Sequence, residues 1–293
     1  MALITDVAFH TQMRKRKIRG YVFYALCLTA VALGLLMLAA LLYNVLSEGL
    51  SRLSWDFITN FPSRFPERAG IHAAILGSIY VVSIAGVVAF SLGVGAAIYL
   101  EEYAKKGTFA SFIQLNIANL AGVPSIVYGI LGLEIFVRIM ELGKSVIAGG
   151  LTLALLVLPI VIIASQEAIR AVPPSLKEGG FALGATKWQV VRRLVLPYAF
   201  PGILTGAILA VSRAIGETAP LIVMGALTFV PFAPDGPMSR FTVLPIQIFN
   251  WVSRPQEGFH VAAAGIIVLL VVLLTMNAFA VFLRHKFQKG TQW

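Results

Sequence analysis

Six stretches of this sequence run for more than twenty residues with almost no charge, and they constrain the fold more than any other feature. They are Gly20–Ser47, His72–Leu100, Gly107–Leu133, Ser145–Gln166, Leu194–Phe232 and Val261–Leu283. Only the fifth is interrupted, by Arg213 and Glu217. A helix rises about 1.5 Å per residue, so about 20 apolar residues cross the roughly 30 Å hydrocarbon layer of a bilayer. Strand-like alternation at barrel spacing is missing from these stretches, which predicts an all-α integral membrane protein with six transmembrane helices. Composition agrees: 12% of the 293 residues are charged, against about 25% in a soluble domain.

The net charge of +10 would point to nucleic acid in a soluble protein. Here it fits basic loops beside an anionic lipid surface, and no nucleic-acid partner is expected. If the N-terminus is cytoplasmic, fifteen of the 23 lysines and arginines fall inside: Arg14, Lys15, Arg16, Lys17, Arg19, Lys105, Lys106, Arg170, Lys177, Lys187, Arg192, Arg193, Arg284, Lys286 and Lys289. Arg52, Arg64, Arg68, Arg138, Lys144, Arg240 and Arg254 fall outside. The bias predicts both termini in the cytoplasm. The basic cluster before Gly20 imitates a secretory leader, but the following run to Leu46 exceeds the roughly 7–15 residues of a cleaved apolar segment. It reads as a retained first helix. The single cysteine, Cys27, lies inside that helix as a small apolar residue.

The organisation that follows is a cytoplasmic segment 1–19, a first transmembrane helix 20–46, an outer loop 47–71, a core of five transmembrane helices over 72–283 and a cytoplasmic tail 284–293. The outer loop and a second outer segment, 233–260, are rich in aromatics: Trp55, Phe57, Phe61 and Phe65 in one, Phe241, Phe249 and Trp251 in the other. Anchoring at the membrane interface and docking of an external partner both account for them.

Between the fourth and fifth helices lies a polar-faced loop, 167–198. Pro173 and Pro174 open a helix, as proline suits a first turn. A turn at Gly184 precedes a second short helix from Lys187 to Val195 that is expected to stop near Pro197. Gly179, Gly180 and Gly184 would admit a close neighbour, and Trp188, Val191 and Leu194 recur at helical spacing as an apolar stripe. Such a stripe serves either a partner or the inner leaflet. Gly143-Lys144-Ser145 imitates the end of a phosphate-binding loop, but Arg138 stands where its first glycine belongs and no strand precedes it.

Arg213 and Glu217 are four residues apart, midway along the fifth apolar run, so a continuous helix would place them on one face. A charge near the bilayer centre costs about 2.5–3.5 kcal/mol even on lenient scales. The pair must therefore face a pathway or a partner. Arg213 could offer a forked donor to a tetrahedral oxyanion, or pair with Glu217 or a companion subunit. Pro220, one turn later, is expected to kink the helix. In the third helix, Gly122, Gly129 and Gly132 predict close packing and Pro124 a kink. Glu134 and Arg138 form an exposed or interfacial pair at its outer end.

Residues Glu178-Gly179-Gly180, Gly184, Leu194, Leu196 and Pro197 resemble the EAA loop of ABC importer permeases: Glu-Ala-Ala, three residues, Gly, nine residues, Ile, one residue, Leu-Pro. Two glycines replace the alanines and Leu194 replaces isoleucine, so small and apolar characters are kept. Leu120-Ala121-Gly122-Val123-Pro124-Ser125-Ile126-Val127-Tyr128-Gly129-Ile130-Leu131-Gly132 and Ser212-Arg213-Ala214-Ile215-Gly216-Glu217-Thr218-Ala219-Pro220-Leu221 resemble the phosphate importers within that family. The Glu-Thr-Ala-Pro-Leu ending is closer to their A subunit (PstA type) than to the C subunit. The resemblance covers roughly residues 71–285. It implies a type I ABC importer transmembrane domain in the bacterial cytoplasmic membrane. It further implies that the loop docks on a separate cytoplasmic ATPase dimer, which holds the ATP and magnesium; no cofactor is expected in this chain, and no catalysis. A C-type permease subunit, an external phosphate-binding protein and membrane lipid complete the expected partners. Permeation of molybdate or sulfate, or a gradient-driven secondary transporter, are the competing readings.

Overall fold

The computed structural model describes residues 2–63, 65–105, 107–226, 229–253 and 257–288, with the side chains of 2–12, Arg14, Lys15, Pro66, Glu257, Gly258, Leu283, Arg284, Phe287 and Gln288 excepted. Of the charges that set the predicted orientation, Arg64, Lys106, Arg254 and Lys289 lie outside the described residues, as does the end of the tail, 289–293.

Among the described residues the chain is predominantly helical and shows no strand. Helix α1 (Ala2–Gly49) precedes a short α2 (Trp55–Thr59). Helix α3 (His72–Ile98) passes into a π-turn at Tyr99–Tyr103. Helices α4 (Thr108–Ala121) and α5 (Ser125–Gly132), the latter extended by a π-turn to Ile139, lead to α6 (Val146–Arg170). Then follow α7 (Pro174–Ala182), α8 (Lys187–Val190), α9 (Leu196–Gly216), α10 (Ala219–Met224), α11 (Leu244–Val252) and α12 (Glu257–Gln288).

Among the described residues, five helical stretches are long and apolar enough to cross a membrane, and the bent pair α4–α5, taken as one span, makes a sixth. That the pair crosses follows from its neighbours. Arg170 at the end of α6 bonds Glu101 at the end of α3 at 2.6 Å, so these two helices finish on the same side. The 25 residues of α6 rise about 37 Å, so the chain must return across between them.

Helices α3, α6 and α9 form the bundle centre, where Val81, Ala85, Leu153, Val157, Ala210 and Ala214 are buried together. Small residues allow the α6–α9 approach: a Cβ on Gly206 would stand 2.2 Å from that of Ala164, and one on Gly202 2.8 Å from that of Ala168. This is small-residue packing of the kind that replaces the hydrophobic drive inside lipid. Helix α1 stays outside this centre. Its apolar window is fully exposed, and it meets the bundle only near its end, where Gly49 abuts Ala263 and Glu48 bonds His260 at 2.7 Å.

The two aromatic segments depart from the membrane-anchor expectation. Phe57, Phe241 and Trp251 are buried, and the rings of Phe57 and Trp251 lie 5.8 Å apart. With Ile71, Leu244 and Val261 the first and last of these make a small core that caps the bundle end opposite α7 and α8. Trp55, Phe61, Phe65 and Phe249 remain exposed and open to either role.

Candidate functional site: two broken helices and an elbow

Two of the six crossings are interrupted, and their breaks meet. In the first, Gly122-Val123-Pro124 parts α4 from α5 at an angle of 102°. Pro124 disfavours the helical conformation at Val123 and brings no N–H, so the predicted kink becomes a full break. The Tyr128 hydroxyl donates to the Leu120 carbonyl at 2.8 Å, satisfying one group that the break frees. In the second, α9 ends at Gly216, and Glu217 is extended at φ −78°, ψ 127°. Pro220 sits in the first turn of α10.

This corrects the picture of one continuous fifth helix kinked by Pro220. Arg213 lies in the last turn of α9 and Glu217 just beyond it. The pair nevertheless forms, Arg213 Nε donating to Glu217 Oε1 at 3.3 Å. Among the described residues this bond uses only Nε, which leaves the two terminal Nη groups of the guanidinium fork available. Arg213 is 44% exposed and Glu217 18% in the isolated chain, so the guanidinium faces out of the bundle centre, toward whatever packs beside this chain.

Gly129 brings the breaks together: a Cβ there would stand 2.7 Å from both Cα and the carbonyl oxygen of Pro220. Gly132 is equally tight against Thr152, at 2.1 Å from its Oγ1, whereas Gly122 meets only its own turn at 3.5 Å. Close packing therefore holds for two of the three glycines. Backbone cannot yield as a side-chain tip can, so Gly129→Ala is expected to cost about 1–3 kcal/mol through overpacking, while Gly122→Ala melts near wild type. Thermal unfolding in detergent checks this, and equal melting of both variants contradicts the close approach.

The loop forms an elbow at the far end of the bundle. Pro173 caps α7 and Pro174 opens it, as expected. Gly184 turns the chain at φ +78°, a left-handed value that favours glycine. Thr186 and Gln189 then form a reciprocal capping box on α8, a Thr-x-x-Gln signal present in the sequence but overlooked. The second helix does not stop at Pro197. A π-turn at Val191–Val195 carries α8 into α9, so Lys187–Gly216 is one helical stretch of 30 residues. The widened turn accommodates a proline that has no N–H to give.

Within the elbow Gly180 is buried, and a Cβ on it would approach Leu194 Cδ1 at 2.7 Å and Val190 Cγ2 at 3.0 Å. Gly179 has open space around it, and Glu178 is exposed. Of the predicted stripe, Val191 is buried and Leu194 is partly buried against the cluster that holds Val190 and Val195; Leu196 is likewise partly buried there, and Pro197 is exposed. Trp188 instead points out at 54% exposure, and Phe181 at 48% and Leu183 at 90% are exposed on the same elbow. An apolar tip of this kind on an otherwise polar elbow marks a contact surface.

The sequence reading missed three residues at the end of α3. Glu101 accepts from Arg170 at 2.6 Å and from Gln166 Nε2 at 2.9 Å. Glu102 accepts from Lys177 at 2.5 Å. Lys187 Nζ lies 5.0 Å above the Tyr103 ring. The available signal was a pair of carboxylates closing an apolar run, opposite a loop rich in lysine and arginine. Glu134 and Arg138 pair at 2.9 Å but are 53% and 66% exposed, a surface pair of little energetic weight.

The chain is similar to known proteins. Residues 89–289 match the family described as "Binding-protein-dependent transport system inner membrane component". "Probable ABC transporter permease protein YqgI" of Bacillus subtilis (strain 168) is 33% identical over 87% of this chain and 90% of its own length. "Phosphate transport system permease protein PstA 1" of Mycobacterium tuberculosis (strain ATCC 25618 / H37Rv) is 31% identical over 96% and 92%. "Phosphate transport system permease protein PstA" of Yersinia pestis is 33% identical over 90% of each chain. Among solved structures, a bacterial ABC transporter involved in the import of the acidic polysaccharide alginate superposes with a TM-score of 0.63 at 16% identity, covering 96% of this chain and all of that one. The MetNI methionine ABC transporter superposes at 0.59, with 16% identity, over 72% of this chain and 93% of that one.

Proposed function

This chain belongs to the family of inner-membrane components of binding-protein-dependent transport systems, and from that premise we propose that it is the A-type permease subunit of an ATP-driven importer of inorganic phosphate. The coarser part is plain: it is a multi-pass permease subunit of an ABC importer, and ATP is hydrolysed on a separate chain. The phosphate assignment is supported by the full-length likeness to phosphate permeases and by the site at the two helix breaks. Irregular backbone is tolerated at membrane depth only where protein or a cavity surrounds it, and transporters put their substrate sites at such breaks. The junction of α9 with α10, held against α5 through Gly129, supplies a guanidinium whose Nη edge suits a tetrahedral oxyanion.

In this reading the α7–α8 side is cytoplasmic and both termini lie there, following the excess of lysine and arginine on that side. The elbow from Glu178 to Pro197 is the coupling element. Phe181, Leu183 and Trp188 enter the cleft of a cytoplasmic ATPase dimer, which binds ATP and magnesium, and Glu178 sits at the polar rim. A C-type permease packs against the exposed side of this chain that carries Arg213, so the anion path runs between the two subunits. An external phosphate-binding protein delivers substrate to the opposite end. When the ATPase dimer closes, the elbow rotates the α8–α9 stretch, and Arg213 at its far end exchanges Glu217 for substrate.

Substrate identity is tested by competition in vesicles carrying the assembled complex. Excess unlabelled phosphate abolishes uptake of labelled phosphate, whereas molybdate and sulfate leave it unchanged. Uptake of labelled molybdate or sulfate that phosphate fails to displace assigns the permease to another oxyanion.

A further inference from the structure

The end of α3 holds every segment of the elbow. Consecutive side chains on a helical turn leave it in different directions (about 100° apart in an α-helix), so three in a row can address three neighbours. Here they do: Glu101 takes Arg170 and Gln166 from the end of α6, Glu102 takes Lys177 from α7, and Tyr103 takes Lys187 from α8. The carboxylate side chains are 14% and 10% exposed, unlike the surface pairs elsewhere in the molecule. Charge-assisted bonds in such partly dry, networked positions are the strong ones. Beneath them Ala97 of α3 packs in one apolar cluster with Ile169, Val172, Val190 and Val195. The clasp sits on a π-turn, a local widening that is frequent at functional positions.

Helix α3 also reaches the other side of the membrane. From His72 to Tyr103 it runs 32 residues, about 48 Å at helical rise. At its start His72 stacks edge-on against Phe61 with centroids 5.6 Å apart, Ser78 Oγ accepts from the backbone N–H of Leu244 at 2.8 Å, and Gly77 lies under the Thr242 carbonyl. One rod therefore joins the elbow to the segments that close the opposite end.

We infer that Glu101, Glu102 and Tyr103 are positioning residues that lock the coupling elbow to α3 as one rigid unit, making α3 a second route, beside α9, by which elbow movement reaches the outer end. This rests on the elbow being the ATPase-coupling element. The first measurement needs no substrate. Spin labels replace Lys105 and Ser175, both exposed, in a chain with its single cysteine changed, Cys27→Ser, assembled with its partners. The distance between them is narrow and identical without nucleotide and with ATP; a shift on ATP binding overturns the clasp.

The second measurement uses charge reversal. Glu102→Lys broadens that distance and lowers substrate carried per ATP hydrolysed about tenfold, within the usual range of coupling between sites. Combining Glu102→Lys with Lys177→Glu narrows the distance again. A Glu102→Lys complex with an unbroadened distance and an undiminished ratio overturns the inference, as does a reversed pair that leaves the distance broad. Failure of the elbow's docking role shows elsewhere, as ATPase association indifferent to the elbow tip, and the label distance still reads the clasp.

Discussion

Arg213→Gln lowers phosphate uptake by about ten- to a hundredfold in a complex that still assembles and still hydrolyses ATP. The magnitude follows from losing charge-assisted donors to an anion, about 1.5–3 kcal/mol, at 1.36 kcal/mol per decade of rate. The sharper form uses two variants. If Arg213 only neutralises Glu217, to which it is bonded at 3.3 Å, then removing both charges leaves nothing uncompensated and Arg213→Gln with Glu217→Gln transports. If its Nη groups serve the anion, the double variant stays impaired. The account expects the second outcome, with Glu217→Gln alone retaining part of the uptake because the guanidinium is still present. Labelled uptake in vesicles, normalised to permease content, measures all three. Recovery in the double variant reduces the pair to scaffolding.

Leu183→Asp at the elbow tip separates the permease from its ATPase. Leu183 is 90% exposed in this chain, so the change costs the permease fold almost nothing, and membrane insertion and thermal unfolding stay at wild-type values. In the docked complex the same change puts a carboxylate into an apolar cleft. Central interface residues cost about 2–4 kcal/mol when disrupted, which is about 30- to 1,000-fold in affinity. Co-purification of the ATPase is expected to be lost, and transport with it. Trp188→Ala weakens the contact less, because it removes apolar surface without adding a charge and Phe181 and Leu183 remain exposed on the elbow. ATPase that co-purifies normally with Leu183→Asp contradicts the elbow as the docking element.

Those two regions were legible in the sequence to different depths. The spans were legible because lipid allows so few spanning structures: a long charge-free run admits a helix and little else. The elbow was legible through Pro173, Pro174 and Gly184, whose backbone constraints are local. The ends of α8 and α9 were not. A hydropathy window blends Gly216 and Thr218 into their apolar neighbours, so the extended backbone at Glu217 passes unseen. Pro197 misled in the opposite direction, since a π-turn absorbed the missing N–H that usually ends a helix. Phe57, Phe241 and Trp251 suggested anchors because aromatic residues outside spans often are, but burial depends on what they fold against: the small core of α11 and the start of α12 for Phe57 and Trp251, and Gly149 of α6 for Phe241. The clasp at Glu101 and Glu102 joins residues 69 and 75 positions apart, a pairing that periodicity cannot see. The meeting of the two breaks at Gly129 and Pro220 was likewise hidden; each half was read separately as a kink.

The most direct measurement of the whole account is ATP-driven phosphate uptake into proteoliposomes that carry this permease, its C-type partner and the ATPase, with the binding protein on the opposite side. Labelled phosphate is expected to accumulate only when ATP is supplied on the ATPase side, and to stop when hydrolysis is blocked. Uptake that proceeds without ATP, following an imposed ion gradient instead, contradicts it.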